Sequence, residues 1–371
     1  MSESIAEKRV LVTGACGTIG ARLVEHLLRD HKVAELVGID NNESELFFSE
    51  QRHAARPGVS FRLADVRDRD TLGRVMEGAD VVFHTAAFKH VVMCEHSPFE
   101  ATQTNIIGVQ NVVHAALRCG VERVIFTSSD KAVNPTNVMG TSKLMGERLM
   151  TAANLSGRGG RPVFASTRFG NVLGSRGSVI PIFSEQIRRG GPVTLTDPEM
   201  TRFIMSEEQA VRLVVDSATL ARGGEIFVTK MPVIRIIDLA EVMIRELAPR
   251  FGHDPEDVGI ETIGVKPGEK MYEELMSHEE TRRAVELEDY FAVLPAFRGL
   301  FKDIEYDHPG LLSETVDNPY NSQNETPLDQ EELRRFLLDN DLLAEAEREV
   351  DHPARRYWPG DKEELAEGRE N

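Results

Sequence analysis

Residues 9–20 read RVLVTGACGTIG, and this stretch carries the strongest structural signal in the chain. A short β-branched run leads directly into three glycines and then into an amphipathic segment, an order typical of a strand, a phosphate-binding turn and a helix. Glycine permits the tight turn and the close approach of a pyrophosphate, and the helix offers free N–H groups. A dinucleotide site is therefore predicted, with a purely structural glycine turn as the alternative. Its residues are Gly14, Gly17, Thr18, Ile19 and Gly20.

Carboxylates follow the next two predicted strands. Asp40 ends the second strand, 20 residues after Gly20, where it can accept bonds from ribose hydroxyls. No arginine lies beside Asp40 in IDNNES to accommodate a 2′-phosphate, which the Asp40 carboxylate would repel. NAD is therefore predicted rather than NADP. Asp65, in LADVRD, is expected to meet the adenine, with a surface helix cap as its alternative. Val66 and Ala86 complete the predicted cofactor-binding set.

The N-terminal half alternates short apolar runs with amphipathic stretches such as 19–28 and 107–117. Nearly continuous apolar runs are typical of strands buried on both faces of a parallel sheet. The predicted fold class is therefore α/β, a Rossmann-type doubly wound parallel sheet with a smaller C-terminal α/β substrate domain. The predicted strands are Arg9–Thr13, Glu35–Asp40, Val59–Leu63, Asp80–Thr85, Arg123–Thr127 and Val163–Arg168.

The pattern loosens after Gly170, where glycine and proline breaks become frequent. We expect residues 1–170 to form the dinucleotide-binding domain, with a return to its sheet near 203–232. The substrate domain is then built from 171–202 and 233–338, and the charge-dense residues 339–371 form a C-terminal tail.

Composition excludes several classes of protein. With 43 Lys and Arg against 61 Asp and Glu, the net charge is −18, which argues against a non-specific nucleic-acid binder. The three cysteines have no paired spacing, and His84, His90 and His96 fall six apart, so neither a disulfide nor a metal site is expected. No apolar run approaches the roughly 18 residues of a membrane span. Residues 1–8, MSESIAEK, lack a signal sequence, so a cytoplasmic protein is expected.

Several longer motifs resemble known enzymes. The spacing GxxGxxG, HTAA at 84–87 and TSSDKAVNPTNVMGTSK at 127–143 resemble the extended short-chain dehydrogenase/reductase family. AFKHVVMCEHSPFEATQTNIIGVQNV, RFGNVLGSRGSVIPIF and VKPGEKMYEEL are similar to its polysaccharide-biosynthesis branch, which contains UDP-N-acetylglucosamine 4,6-dehydratases. The resemblance covers roughly residues 8–290 in the expected order. It implies bound NAD, a UDP-sugar substrate and a homo-oligomer.

The resemblance also implies a reaction. In that family NAD+ takes a hydride from C4 of the hexose, water is lost across C5 and C6, and the hydride returns to C6. Asp130 would then protonate the leaving C6 hydroxyl, Lys131 would take the C5 proton, and Ser129 would hydrogen-bond the C4 oxygen. A lysine base must be neutral, a form that burial, the nicotinamide charge and nearby lysines favour. A capping aspartate followed by an exposed lysine is the alternative reading.

Met139 departs from the family pattern. Most short-chain reductases have tyrosine four residues before the lysine, which here is Lys143. A thioether has no ionisable proton, so Met139 cannot be a base, whereas Lys143 can still hold the nicotinamide ribose. The acceptor of the C4 hydroxyl proton is left open between Asp130 and a water held by Ser129.

Further residues resemble contacts to the nucleotide-sugar, although each could instead be a surface ion pair. They are Lys89, His90, Asn171, Arg202, Lys266 and Glu269. Two other functions compete with the dehydratase: a UDP-sugar 4-epimerase on the same scaffold, and a non-catalytic NAD-binding regulator.

Overall fold

A computed structural model describes residues 5–157, 160–175, 178–264, 268–301 and 304–347. Its strands are β1 (Arg9–Thr13), β2 (Glu35–Asp40), β3 (Val59–Leu63), β4 (Val81–His84), β5 (Arg123–Ser129), β6 (Val163–Phe169), β7 (Asn171–Val172), β8 (Val193–Leu195), β9 (Thr201–Met205), β10 (Ile226–Thr229), β11 (Val233–Arg235), β12 (Ile260–Thr262), β13 (Ala284–Leu287), β14 (Tyr290–Val293) and β15 (Leu311–Ser313). Its α-helices are α1 (Thr18–Asp30), α2 (Glu43–His53), α3 (Arg69–Val75), α4 (Val91–His96), α5 (Pro98–Thr102), α6 (Gly108–Cys119), α7 (Val138–Ala153), α8 (Val179–Arg188), α9 (Glu207–Leu220), α10 (Ile236–Leu247), α11 (His278–Thr281), α12 (Gln330–Asp339) and α13 (Leu342–Glu347).

The chain divides into two compact units. The first unit comprises Met1–Val172, Phe203–Pro232 and Tyr272–Glu325. The second comprises Leu173–Arg202, Val233–Met271 and Thr326–Asn371. Residues 272–325, which the sequence assigned to the substrate domain, thus group with the first unit, because they add strands to its sheet.

One large sheet organises the first unit, in the order β15-β13-β14-β10-β6-β5-β4-β1-β2-β3. Seven neighbouring strands pair in parallel, in the sheet order β3-β2-β1-β4-β5-β6-β10. Strands β14, β13 and β15 continue the sheet beyond β10 with antiparallel pairing. Helix α1 packs against α9, whereas α6 packs against α3 and α7. The chain crosses from β1 to β2 in one direction along the sheet and from β4 to β5 in the opposite direction. Because both crossovers are right-handed, the two groups of helices lie on opposite faces of the sheet. The predicted α/β doubly wound fold is confirmed.

Strand β3 corrects one expectation. It was predicted to be buried, but its residues are half-buried or exposed, because β3 is the edge of the sheet and lacks a neighbour on one side. The expected return strand is present, since β10 pairs in parallel with β6.

The second unit is built around α10. Helices α8, α12 and α13 pack on it, and β8 pairs in parallel with β12. Leu342 and Leu343 of α13 are buried, so the start of the predicted tail is packed. Residues 348–371 of that tail lie outside the described residues.

Within the described ranges, every helix is too short or too polar to span a lipid bilayer.

Arg168, near the end of β6, is a fully buried charge in the first unit. Its guanidinium donates to Glu147 of α7 and to Glu280 of α11, with both ion pairs at 2.8 Å. It also donates to the carbonyl oxygen of Leu275 at 3.0 Å. Arg168 thereby fixes the segment around residues 275–280 against the parallel sheet.

Candidate active site

The glycine turn has the shape that a dinucleotide requires. Gly14 has φ +68°, and a Cβ there would lie 2.7 Å from the backbone of Ala86. A Cβ on Gly20 would overlap the carbonyl oxygen of Gly14. Gly17 precedes α1 without a side-chain cap, so the first-turn N–H groups at 18–20 face no capping side chain. This cradle of glycines and a helix N-terminus fits a pyrophosphate.

Asp40 is oriented by the same turn. Its Oδ2 accepts from the N–H of Cys16 and its Oδ1 from the N–H of Asn42, both at 3.0 Å. The carboxylate is therefore fixed beside the glycines, as the predicted ribose contact requires.

Asp65 is placed near this region through Asn41, whose side-chain amide donates to it at 3.3 Å. Its main partner is Arg67, whose side-chain hydrogen bonds lower the pKa of Asp65. Asp65 does not cap α3, since Asp68 does. Val66 is buried in the core, where its side chain contacts the position of Gly108.

Thr13 and His84 lie next to the glycine turn and hydrogen-bond to each other. Thr13 Oγ1 lies 2.7 Å from His84 Nδ1 and accepts from the N–H of Ala86 at 3.3 Å. Burial, with a contribution from the charge of Lys143, lowers the pKa of His84 to about 3. His84 is therefore a neutral structural group at physiological pH.

Met139 and Lys143 lie one turn apart on α7 but differ in their surroundings. Met139 is buried in an apolar cluster with Cys94 and Ala101. Lys143 Nζ donates to the carbonyl oxygen of Thr127 at 2.8 Å, and burial lowers the pKa of Lys143 to about 8. Only Lys143 of this pair can exchange a proton.

Asn105 is a buried residue that supports this region and that sequence reasoning missed. It lies in a π-helical turn, Gln103–Ile107, and bonds both backbone groups of Phe88, at 2.8 and 3.0 Å. Its amide also donates to Ser142 at 2.9 Å. Asn105 thus fixes the loop that carries the exposed Lys89 and His90. The sequence around it, TQTNII at 102–107, offered no clear signal, because Asn105 ends a run of polar residues.

Ser129 ends β5, and Asp130 and Lys131 begin the short 3-10 turn that follows it. Asp130 Oδ1 accepts from Ser129 Oγ at 2.6 Å, from the Lys131 N–H at 2.8 Å and from Lys131 Nζ at 3.1 Å. Asp130 is buried, and its Oδ2 has no hydrogen-bond partner among the described residues. A buried, unsatisfied carboxylate oxygen is costly, which suits a group that receives a proton or a ligand hydroxyl.

Glu273 is a second residue that sequence reasoning missed. Its Oε1 lies 3.2 Å from Lys131 Nζ, and the residue is only 3% exposed. The sequence predicts that burial, the nicotinamide charge and nearby lysines favour neutral Lys131; the structure adds two carboxylates at its ammonium, which favour the charged form. The acidic run YEEL at 272–275 was visible, but the chain separation concealed its partner.

The predicted substrate contacts fall in both units. Asn171, in the first unit, is half-buried in β7 opposite Ile204 of β9. In the second unit, Arg202 donates to the carbonyl oxygens of residues 201, 270 and 271, and Glu269 lies 4.0 Å away. Lys266 lies outside the described residues.

His26, Asp30 and Glu208 are a group whose atoms could surround a metal ion. Arg29 already donates to Asp30 at 2.7 Å and to Glu208 at 2.9 Å. The cluster is therefore an exposed ion-pair network between α1 and α9.

Comparison with known proteins identifies a family and several relatives of this chain. A family model described as polysaccharide biosynthesis protein matches residues 10–295. The chain is 48% identical, over 92% of its length and 99% of the relative, to a Methanocaldococcus jannaschii protein described as an uncharacterized membrane protein. It spans 47% of the length of two other curated polysaccharide-biosynthesis relatives.

Two relatives carry names that state a reaction, one a dehydratase and the other an epimerase. A UDP-N-acetylglucosamine 4,6-dehydratase (inverting) of Campylobacter jejuni is 36% identical, over 81% of this chain and 86% of that protein. A UDP-glucose 4-epimerase of Rickettsia felis is 37% identical, over 91% and 98%. The solved structure of Pen from Bacillus thuringiensis matches with TM-score 0.83 and 41% identity, over 91% of this chain and 99% of that one.

Proposed function

The chain belongs to the polysaccharide biosynthesis protein family, within the short-chain dehydrogenase/reductases, and we propose that it is a nucleotide-sugar 4,6-dehydratase with bound NAD. Its proposed substrate is UDP-N-acetylglucosamine, converted to a UDP-4-keto-6-deoxy sugar, which makes the enzyme a hydro-lyase. The observation that carries the proposal is the pair of buried Asp130 and half-buried Lys131, an acid and a base joined at 3.1 Å. A cytoplasmic location and a homo-oligomeric state stay predictions from the sequence.

The residues around the glycine turn fit NAD. Gly14, Gly17 and Gly20 would receive the pyrophosphate, Asp40 the ribose hydroxyls, and Lys143 the nicotinamide ribose. When bound, NAD supplies the acceptor for the C4 hydride and returns that hydride to C6.

Elimination of water needs a base for the C5 proton and an acid for the C6 hydroxyl. One proton moving from Lys131 Nζ to Asp130 Oδ1, along their 3.1 Å hydrogen bond, produces both forms. Asp130 then gives its proton to the departing hydroxyl, and Lys131 takes the proton from C5. The pair returns to carboxylate and ammonium, the forms that their mutual contact favours.

A UDP-sugar 4-epimerase is the second candidate, favoured by the identity to curated epimerases. Epimerisation also oxidises C4 but needs neither an acid for C6 nor a base for C5. It commonly relies on the tyrosine that Met139 replaces. Asp130, Lys131 and Met139 together therefore favour the dehydratase.

The two reactions are separated by incubating the protein with UDP-N-acetylglucosamine in heavy water. We expect a product lighter by one water with deuterium at C5, seen by mass and proton NMR spectra. An isomer of unchanged mass would instead identify an epimerase.

Lys131→Ala should abolish deuterium uptake while NAD stays bound, and persistent exchange at C5 would refute the base assignment. Lys230→Ala, which removes a lysine paired with Glu286, is the matched control and should keep product formation.

A further inference from the structure

We propose that Glu273 is a positioning residue for this reaction, which holds the Lys131 ammonium beside Asp130 and raises the pH at which Lys131 loses its proton to solvent. The inference rests on the proposed function, because it assigns Glu273 a task in the same proton transfer. Neither the sequence motifs nor the relatives' names give Glu273 a role.

The contact geometry supports this task. Lys131 Nζ lies 3.1 Å from Asp130 Oδ1 and 3.2 Å from Glu273 Oε1, and both carboxylates are almost fully buried. The Lys131 side chain itself is 25% exposed. Charges interact more strongly where water is excluded, so each carboxylate favours the ammonium form of Lys131.

Helix α7 also packs on this turn. The N-terminus of α7 meets the carbonyl oxygen of Lys131 at Gly140, where a Cβ would overlap it. Two ion pairs, with Asp130 and with Glu273, hold the Lys131 ammonium at this turn.

Glu273 is fixed by its backbone rather than by its neighbours on the turn. Its N–H donates to Ser322 Oγ at 3.0 Å, and its carbonyl oxygen accepts from the Ser322 N–H at 2.9 Å. The Leu275 N–H donates to the Tyr320 carbonyl oxygen at 2.8 Å. A carboxylate on such a segment holds a fixed position when the flexible lysine chain moves.

The two carboxylates do different things in the proton transfer. Asp130 exchanges a proton with Lys131, whereas Glu273 contacts the Lys131 ammonium without entering the exchange. It therefore opposes the neutral amine at rest and stabilises the ammonium that forms when Lys131 takes the C5 proton. Glu273 makes Lys131 a stronger base that is neutral less often.

The test measures the charge of Lys131 directly, without turnover. The NAD-loaded protein is treated with trace acetic anhydride between pH 6 and 11, and acetylation of Lys131 is quantified by peptide mass spectrometry. Only the neutral amine reacts. Glu273→Gln keeps the hydrogen-bond acceptor but removes the charge, so its acetylation midpoint should fall by about one pH unit or more, a roughly tenfold gain in reactivity below the midpoint.

Glu279→Gln is the matched control, because Glu279 lies on the same segment and pairs with Arg283 at 3.4 Å. Its midpoint should equal that of the wild type. Glu273→Asp keeps the charge on a shorter side chain and should give an intermediate midpoint, so the proposal is tested even if the glutamine variant folds poorly. An unchanged midpoint in Glu273→Gln, with Lys131 still acetylated, would overturn the proposal.

A second readout follows the reaction. The alkaline limb of kcat/KM, where the Asp130–Lys131 pair loses the one proton that the elimination needs, should move to lower pH in Glu273→Gln. A purely structural role would lower the rate without moving the limb. If the acetylation midpoint moves but no nucleotide-sugar loses water, the role of Glu273 stands and the proposed function fails. If water is lost from the sugar but the midpoint does not move, the proposed function stands and the role of Glu273 fails.

Discussion

Replacing Gly20 by alanine is expected to abolish NAD binding. The new Cβ would overlap the carbonyl oxygen of Gly14, which is backbone and cannot swing aside, so the turn and the start of α1 must separate. That movement breaks the close approach on which pyrophosphate binding depends. We expect the Kd for NAD, measured by titration calorimetry on nucleotide-free protein, to rise at least about a hundredfold, or about 3 kcal/mol.

Gly73→Ala is the control for that change. Gly73 also lies inside a helix, α3, but its new Cβ would meet only the tip of the exposed Arg118 side chain, which can move. NAD affinity should stay at the wild-type value, with stability unchanged or raised by up to about 1 kcal/mol. Wild-type affinity in Gly20→Ala would show that the turn does not bind the cofactor.

Arg168→Met is expected to cause the largest loss of stability. It leaves Glu147 and Glu280 buried without their common cation, and removing one partner of a buried ion pair costs roughly 3–5 kcal/mol. Denaturant unfolding followed by circular dichroism would measure the change. Arg212→Met removes an exposed pair with Asp216, at 3.5 Å, and should alter stability by less than about 0.5 kcal/mol.

The same variant should change the dependence of stability on pH. Burial alone would raise the pKa of Glu280, but the charge and hydrogen bonds of Arg168 lower it from 4.5 to about 2. This contribution to wild-type stability is complete above pH 4.5 and is lost as pH falls towards 2. The gap in unfolding free energy between wild type and Arg168→Met should therefore narrow over that range, and a constant gap would contradict the assignment.

The parallel half of the fold was predictable because its signals are local. Continuous β-branched runs such as 9–13 and 123–127 mark strands buried on both faces, and the glycines mark the turn. The same reasoning misjudged β3, since position in the sheet, not composition, decides whether a strand has two neighbours.

The rest depends on distant pairing. Strands β13, β14 and β15 join the sheet antiparallel, and no periodicity in the sequence announces which edge they extend. Glu273 meets Lys131 only because residues 272–275 are held by residues 320–322. Arg168 offered one overlooked signal, since a charge inside an otherwise apolar strand predicts a buried counter-ion.

The late position of residues 272–325 has a consequence for biosynthesis. During translation the glycine turn, Asp130 and Lys131 leave the ribosome long before Glu273 and Glu280 are made. A nascent chain can assemble its parallel strands while Arg168 still lacks one carboxylate and Lys131 lacks its fixed neighbour. Lys131 thus gains its contact with Glu273 only after the antiparallel strands and residues 320–322 have been made.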